Sequence, residues 1–209
     1  MKSLALLILR LTLGSLMAGH GLQKMFGWFG GPGREGTRGF MEQLGIKPGH
    51  VWGPMVMIGE TSGGLLTAFG LLSPLGTQNI MAAMAVAMKR VHWKNGIWNQ
   101  GGGIEHPLTN FSCALALSMT GPGKYSLDRL FGIRLPRWLI ALSWVNTIAI
   151  TAAAIYRPEI AERVIAPLRN EPVSYEPDLP YEQPAEPTIQ VERRPRQTAR
   201  AEQTSPAST

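Results

Sequence analysis

The chain has 209 residues, of which 44% are hydrophobic and 16% are charged, and its formal net charge is +6. Many of the basic residues flank apolar segments or lie in loops, as in membrane proteins, and no pattern of interleaved aromatic and basic residues is present, which argues against nucleic-acid binding. Cys113 is the only cysteine, so the chain has neither an internal disulfide nor a CxxC redox pair.

Three apolar segments, at residues 4–22, 51–72 and 138–156, are each long enough to cross a bilayer, whose hydrocarbon core of about 30 Å needs roughly 20 apolar residues. Two shorter segments, at residues 80–88 and 107–121, lie between them. Open strands would leave backbone groups unpaired in lipid. The sequence therefore predicts an all-α fold, a transmembrane helical bundle.

The chain divides into three predicted parts. Residues 1–131 form a four-helix membrane bundle, whose first helix is retained because Arg10 interrupts its apolar run and no cleavage site follows. Residues 132–156 form a connector and an extra transmembrane helix. Residues 157–209, with seven prolines from Pro172 to Pro206, are predicted to be a disordered tail because they have too few large apolar residues to offset the entropy of ordering.

Alternating crossings place the two glycine-rich loops, at residues 26–33 and 95–103, on one side of the membrane together with the tail. The positive-inside rule favours a cytoplasmic location for this side, since it carries more Lys and Arg. Its polar and aromatic candidates for an interfacial site are Gln23, Trp28, Gln100, Glu105 and His106.

Two charged residues lie inside predicted helices, Arg10 in the first and Glu60 in the second. Each costs roughly 2.5–3.5 kcal/mol near the bilayer centre, so such residues face the bundle and pair. We expect Arg10 and Glu60 to lie at similar depth and to meet, or to share a buried network. The predicted network comprises Arg10, His20, Lys24, Glu60, Arg90 and His92. Two interpretations stay open: a structural ion pair that fixes helix register, or a site for a proton or substrate.

Small residues in the predicted helices suggest where backbones approach closely. Gly59 and Gly63 form one small-xxx-small pair, and Ala83 and Ala87 form another. No metal site is predicted, since the histidines and acids of the loop side lack the i, i+4 spacing of helical ligands.

Four long motifs carry a family resemblance. They are HGLQKMFGWFGGPG at residues 20–33, GETSGGLL at 59–66, NGIWNQGGGIEHP at 95–107 and TGPGKYSLDR at 120–129. Together they resemble the DoxX family of bacterial integral membrane proteins over about residues 4–131. The chain departs from the family by its extra helix and its tail.

The resemblance implies a multi-pass protein of the bacterial inner (plasma) membrane. Some family members are linked to an oxidoreductase complex in oxidative-stress and thiol defence, and the related DoxD proteins are subunits of thiosulfate:quinone oxidoreductase. A membrane subunit or anchor of a redox complex is therefore expected, with quinone as the candidate cofactor. The expected partners are membrane lipid, soluble redox proteins bound through the tail, and a second copy of the chain.

A small transporter and a non-catalytic membrane scaffold are the alternative functions. No catalytic residues carry over from the family, so whether the chain is an enzyme stays open.

Overall fold

The computed structural model describes residues 1–169, in which every regular element is helical. The α-helices are α1 (Lys2–Phe26), α2 (Gly33–Gln43), α3 (Gly49–Phe69), α4 (Leu75–Ala87), α5 (Glu105–Thr120), α6 (Leu127–Phe131), α7 (Arg137–Tyr156) and α8 (Ile160–Arg169). A π-helical turn, Met88–His92, continues α4 without a break. The predicted all-α fold is confirmed.

Two of these helices, Lys2–Phe26 and Arg137–Tyr156, are long and apolar enough to cross a membrane by length and composition. The third predicted span, α3, has 21 residues but does not meet that composition, because its glycines and Glu60 lower its mean hydropathy. The helices α4 and α5 have 13 and 16 residues, so each is too short to cross a membrane by this test.

The helices α1 and α3 run antiparallel with their backbones in close contact, and small residues set their register. A Cβ atom at Gly14 would lie 2.5 Å from the nitrogen of Ala68 and 2.6 Å from the carbonyl oxygen of Gly64. Farther along, a Cβ at Gly21 would overlap Thr61. The register therefore depends on glycine at these positions. In contrast, a Cβ at Gly59 would meet nothing within 4 Å, so Gly59 makes no close helix contact, contrary to the expectation for the Gly59 and Gly63 pair.

The close packing at Gly64 and the open space at Gly59 allow a matched pair of substitutions. We expect Gly64→Ala to destabilise the bundle by about 1–3 kcal/mol, because its Cβ would overlap the backbone of Ala18 and force the helices apart. The same change at Gly59 should be neutral or stabilising by up to about 1 kcal/mol, since Ala is the better helix former. Thermal unfolding in mild detergent measures both, and equal losses of stability would contradict this register.

The remaining long helices complete the bundle around a buried cluster from α1, α4 and α5. Its members are Leu13, Met17, Ile80, Met81, Met84, Ala114 and Leu117. The short helix α2 packs against α1 and α3, and α7 packs against α4. The fold thus places α7, which follows the four-helix core, beside the face of α4.

The predicted tail is wrong at its start, because Ile160–Arg169 forms the helix α8. The chain is attached to α3 there: Trp52 Nε1 donates to the carbonyl of Pro158 at 3.1 Å, and His50 Nε2 lies 3.7 Å from a carboxylate oxygen of Glu162. Ala161 also packs against a second buried cluster that contains Trp52. The rest of the predicted tail, residues 170–209, lies outside the described residues.

Candidate functional site

A cavity of about 420 Å³ opens among α1–α5, the π-helical turn and α7. Its walls are mostly apolar. The large apolar lining residues are Met17, Phe40, Met41, Leu44, Ile46, Trp52, Met55, Met84 and Ile150. The polar lining residues are His20, Lys24, Glu60, Asn79, His92, His106, Asn110 and Thr151. An apolar pocket of this size with a few convergent polar groups is typical of small-molecule sites.

An ion pair lies in the wall of this cavity. Lys24 Nζ on α1 is 2.5 Å from Glu60 Oε2 on α3, and the side chain of Glu60 is only 7% exposed. The close contact at Gly21 and Thr61 brings the two helices near enough for the lysine to reach the acid. Within the described residues Glu60 Oε1 has no hydrogen-bond partner, so it can accept a hydrogen bond from a ligand.

His92 lies at the end of the π-helical turn and is one of the residues that line the cavity. Its Nδ1 is 2.6 Å from the carbonyl oxygen of Gly102. A carbonyl can only accept, so Nδ1 carries the hydrogen and Nε2 of the neutral ring has a free lone pair. A π-helical turn of this kind inside a helix is common at functional sites.

The other histidines of the cavity are exposed and bonded within their own helices. His20 Nδ1 lies 3.1 Å from Gln23 Oε1, and His106 Nε2 lies 3.4 Å from Asn110 Nδ2. They stand at the rim of the cavity, whereas His92 and the ion pair lie deeper.

Four interfacial candidates do not line the cavity: Gln23, Trp28, Gln100 and Glu105. Glu105 accepts a hydrogen bond from the backbone of Asn99 at 2.8 Å and so shapes the second glycine-rich loop. Trp28 is 53% exposed and contacts the neighbouring rings of Phe26 and Phe29. Gln100 is exposed in the second loop.

The predicted meeting of Arg10 and Glu60 is wrong. Arg10 lies at the opposite end of α1, where its Nη2 donates to the carbonyl of Tyr125 at 2.5 Å and its charge interacts with Asp128. Arg10 and Lys24 are separated by about 20 Å along α1 at 1.5 Å per residue. The reason is the register, which places Arg10 beside Gly70 and Lys24 beside Glu60.

Arg90 also lies apart from the Lys24–Glu60 ion pair. Its Nη2 donates to the carbonyl of Ala154 on α7 at 3.4 Å. The six residues of the predicted network are therefore divided: Lys24, Glu60, His92 and His20 share the cavity, Arg90 ties the π-helical turn to α7, and Arg10 is remote.

Sequence reasoning missed several cavity residues. Asn79, on α4, is half-buried and has no hydrogen-bond partner among the described residues; its signal was a polar side chain at the start of an apolar helix. Ile150, Thr151 and Ala154 of α7 also line the cavity. Nothing in their apolar segment distinguishes a cavity wall from a lipid-facing side, so no signal could have identified them.

Among residues 1–169, no group of three or more His, Cys, Asp or Glu side chains could hold a metal ion.

The family model described as DoxX matches residues 5–93, which extend from α1 into the π-helical turn and the residue after it. Searches of curated proteins and of solved structures find no match. The matched segment contains the Lys24–Glu60 pair and His92, whereas α5, α7 and α8 lie beyond it. This match identifies residues 5–93 as a DoxX domain.

Proposed function

We propose that the chain is a multi-pass subunit of a redox complex in the bacterial inner membrane, and that its cavity binds the headgroup of a lipid quinone. The observation that carries the proposal is the 420 Å³ cavity, in which the Lys24–Glu60 pair and His92 interrupt an apolar lining. A quinone headgroup is a flat ring with two polar oxygens, so it needs apolar walls and a few hydrogen-bonding groups.

The position of the cavity suits a lipid-soluble ligand. Met55 and Ile150 line the cavity and are 39% and 36% exposed. An apolar tail can therefore leave the cavity along these side chains and enter the lipid. A water-soluble substrate would have no use for such an apolar exit.

Substitution of Gly59 tests the ligand site directly. Gly59 lines the cavity and a Cβ there would meet nothing within 4 Å, so Gly59→Leu should fill the space without disturbing the helices. We expect short-chain quinone to bind the variant at least about tenfold more weakly, a loss of 1.4 kcal/mol or more. Equilibrium dialysis with purified protein in mild detergent measures the affinity.

Gly19→Leu is the matched control. Gly19 is also free of neighbours within 4 Å but is not part of the cavity lining, so its substitution should leave the affinity unchanged. Equal affinities of both variants and the unaltered protein would contradict the site.

Membership of a redox complex has its own test. Purification from native membranes in mild detergent, followed by mass spectrometry, should recover a dehydrogenase-type or thiol-oxidising partner. Recovery of the chain alone, with lipid but no such protein, would contradict this part of the proposal.

Transport is less well supported by the packing. The polar groups near Arg10 and near Lys24 are separated by the buried apolar cluster of α1, α4 and α5. A hydrophilic substrate would have to cross that cluster, whose members are all apolar.

A further inference from the structure

We infer that the cavity discriminates between the two redox forms of its ligand and binds the hydroquinone, which carries two hydroxyl groups, more tightly than the quinone. This inference rests on the proposed function, and it assigns the discrimination to His92 and Glu60. The inference follows from two sets of atoms: those that already form hydrogen bonds within the protein, and those that remain free to bond a ligand.

The first acceptor is His92 Nε2. The bond from Nδ1 to the Gly102 carbonyl cannot be reversed, because a backbone carbonyl has no hydrogen to donate. The neutral ring therefore offers a lone pair, and no hydrogen, to the cavity that it lines. The carbonyl acceptor belongs to the second glycine-rich loop, where Asn95 Nδ2 donates to the same oxygen at 3.2 Å, so the ring is held from outside the cavity.

The second acceptor is Glu60 Oε1. Its partner oxygen, Oε2, is bonded to Lys24, and this bond directs the ammonium group toward the carboxylate. Two acceptors that line one cavity match the two O–H groups of a hydroquinone. A quinone has only carbonyl oxygens, which would face these lone pairs without a hydrogen between them.

The remaining polar groups do not reverse this preference. Asn79 has both a donor and an acceptor in its amide, so it can bond either form. At the rim, His106 Nε2 is already engaged by Asn110. Lys24 donates one N–H to Glu60 Oε2, and its remaining N–H groups can donate to a quinone carbonyl or equally to the oxygen of a hydroquinone hydroxyl, so they bond either form.

The tautomer of His92 can be measured independently of any ligand. In protein labelled with ¹⁵N-histidine, the ring nitrogens of His92 should show the Nδ1–H form, with His92→Phe identifying its signals. The Nε2–H form would overturn the inference, because the ring would then present a donor to the cavity.

Binding of the two forms is the second test. Under anaerobic conditions, the purified full-length chain should bind a short-chain hydroquinone roughly tenfold more tightly than the matching quinone, as expected for two additional hydrogen bonds. In His92→Phe this ratio should fall toward one, whereas in His50→Phe, a control histidine outside the cavity lining, it should persist.

The possible failures are distinguishable. Equal affinity for the two forms, or tighter binding of the quinone, overturns the discrimination but leaves the quinone site standing. If neither form binds, the ligand class itself is wrong, and the discrimination is overturned with it.

Discussion

Lys24→Met should lower the stability of the bundle by about 3 kcal/mol, since removing one partner of a buried ion pair leaves the other charge without compensation. Glu60 is 5% exposed, and Lys24 is the only cation bonded to it among the described residues. The variant must therefore either bury a lone carboxylate or protonate it. Thermal unfolding in mild detergent at neutral pH measures the loss.

The double variant Lys24→Met/Glu60→Met separates the charge from the packing. It should recover much of the lost stability, because apolar residues of similar size often replace a buried pair at little cost. Lys94→Met is the control for loss of a lysine, since Lys94 is exposed; its effect should stay within about 0.5 kcal/mol. A double variant as unstable as Lys24→Met would contradict the importance of the lone charge.

Asp128→Asn should cost about 3 kcal/mol at the other end of the bundle. The two carboxylate oxygens of Asp128 accept hydrogen bonds from the backbone nitrogens of Leu72 and Ser73, at 2.7 and 2.8 Å. An amide can keep only one of them. The substitution also removes the negative charge that interacts with Arg10, which is 2% exposed.

Adding Arg10→Met to Asp128→Asn should restore part of the stability, because the guanidinium is then no longer buried without a counter-charge. Glu35→Gln controls for the change of carboxylate to amide, as the Glu35 side chain is 82% exposed and pairs with Arg38. We expect it to change the stability by less than about 0.5 kcal/mol. If Arg10→Met made Asp128→Asn less stable still, compensation between the two charges would be excluded. Thermal unfolding again measures the set.

The helices could be predicted from the sequence because apolar segments and Gly or Pro breaks are local signals. The first predicted apolar segment, at residues 4–22, lies within the observed helix Lys2–Phe26, and the last predicted segment, at 138–156, is observed as Arg137–Tyr156. The helix α8 was missed because its few apolar residues stabilise it only by packing on α3, and the sequence does not show that contact.

The pairing of charges could not be predicted because it depends on register. Position within a helix suggested that Arg10 and Glu60 have similar depth, but close contacts at Gly14 and Gly64 fix a different alignment of α1 and α3. The sequence contained the right residues for the buried network and could not assign their partners. It had identified Lys24 only as a further member of that network.

Part of the cavity wall is formed by α7, which lies beyond the segment that the family model matches. The match to the DoxX model ends at residue 93, so Ile150, Thr151 and Ala154 come from a part of the chain outside it. The charged groups of the site thus lie within the matched DoxX domain, while part of its apolar wall comes from residues beyond that domain. We expect substitutions in α7 to alter the size of ligand accepted without removing the Lys24–Glu60 pair.

Photolabelling with a light-activated quinone tests the central claim most directly, because it reports where the ligand lies in the folded protein. Mass spectrometry should find the label on residues 52–60 of α3 and 150–154 of α7, and Gly59→Leu should abolish it while Gly19→Leu leaves it intact. Labelling that persists in Gly59→Leu, or that occurs only at residues outside the cavity lining, would contradict the account.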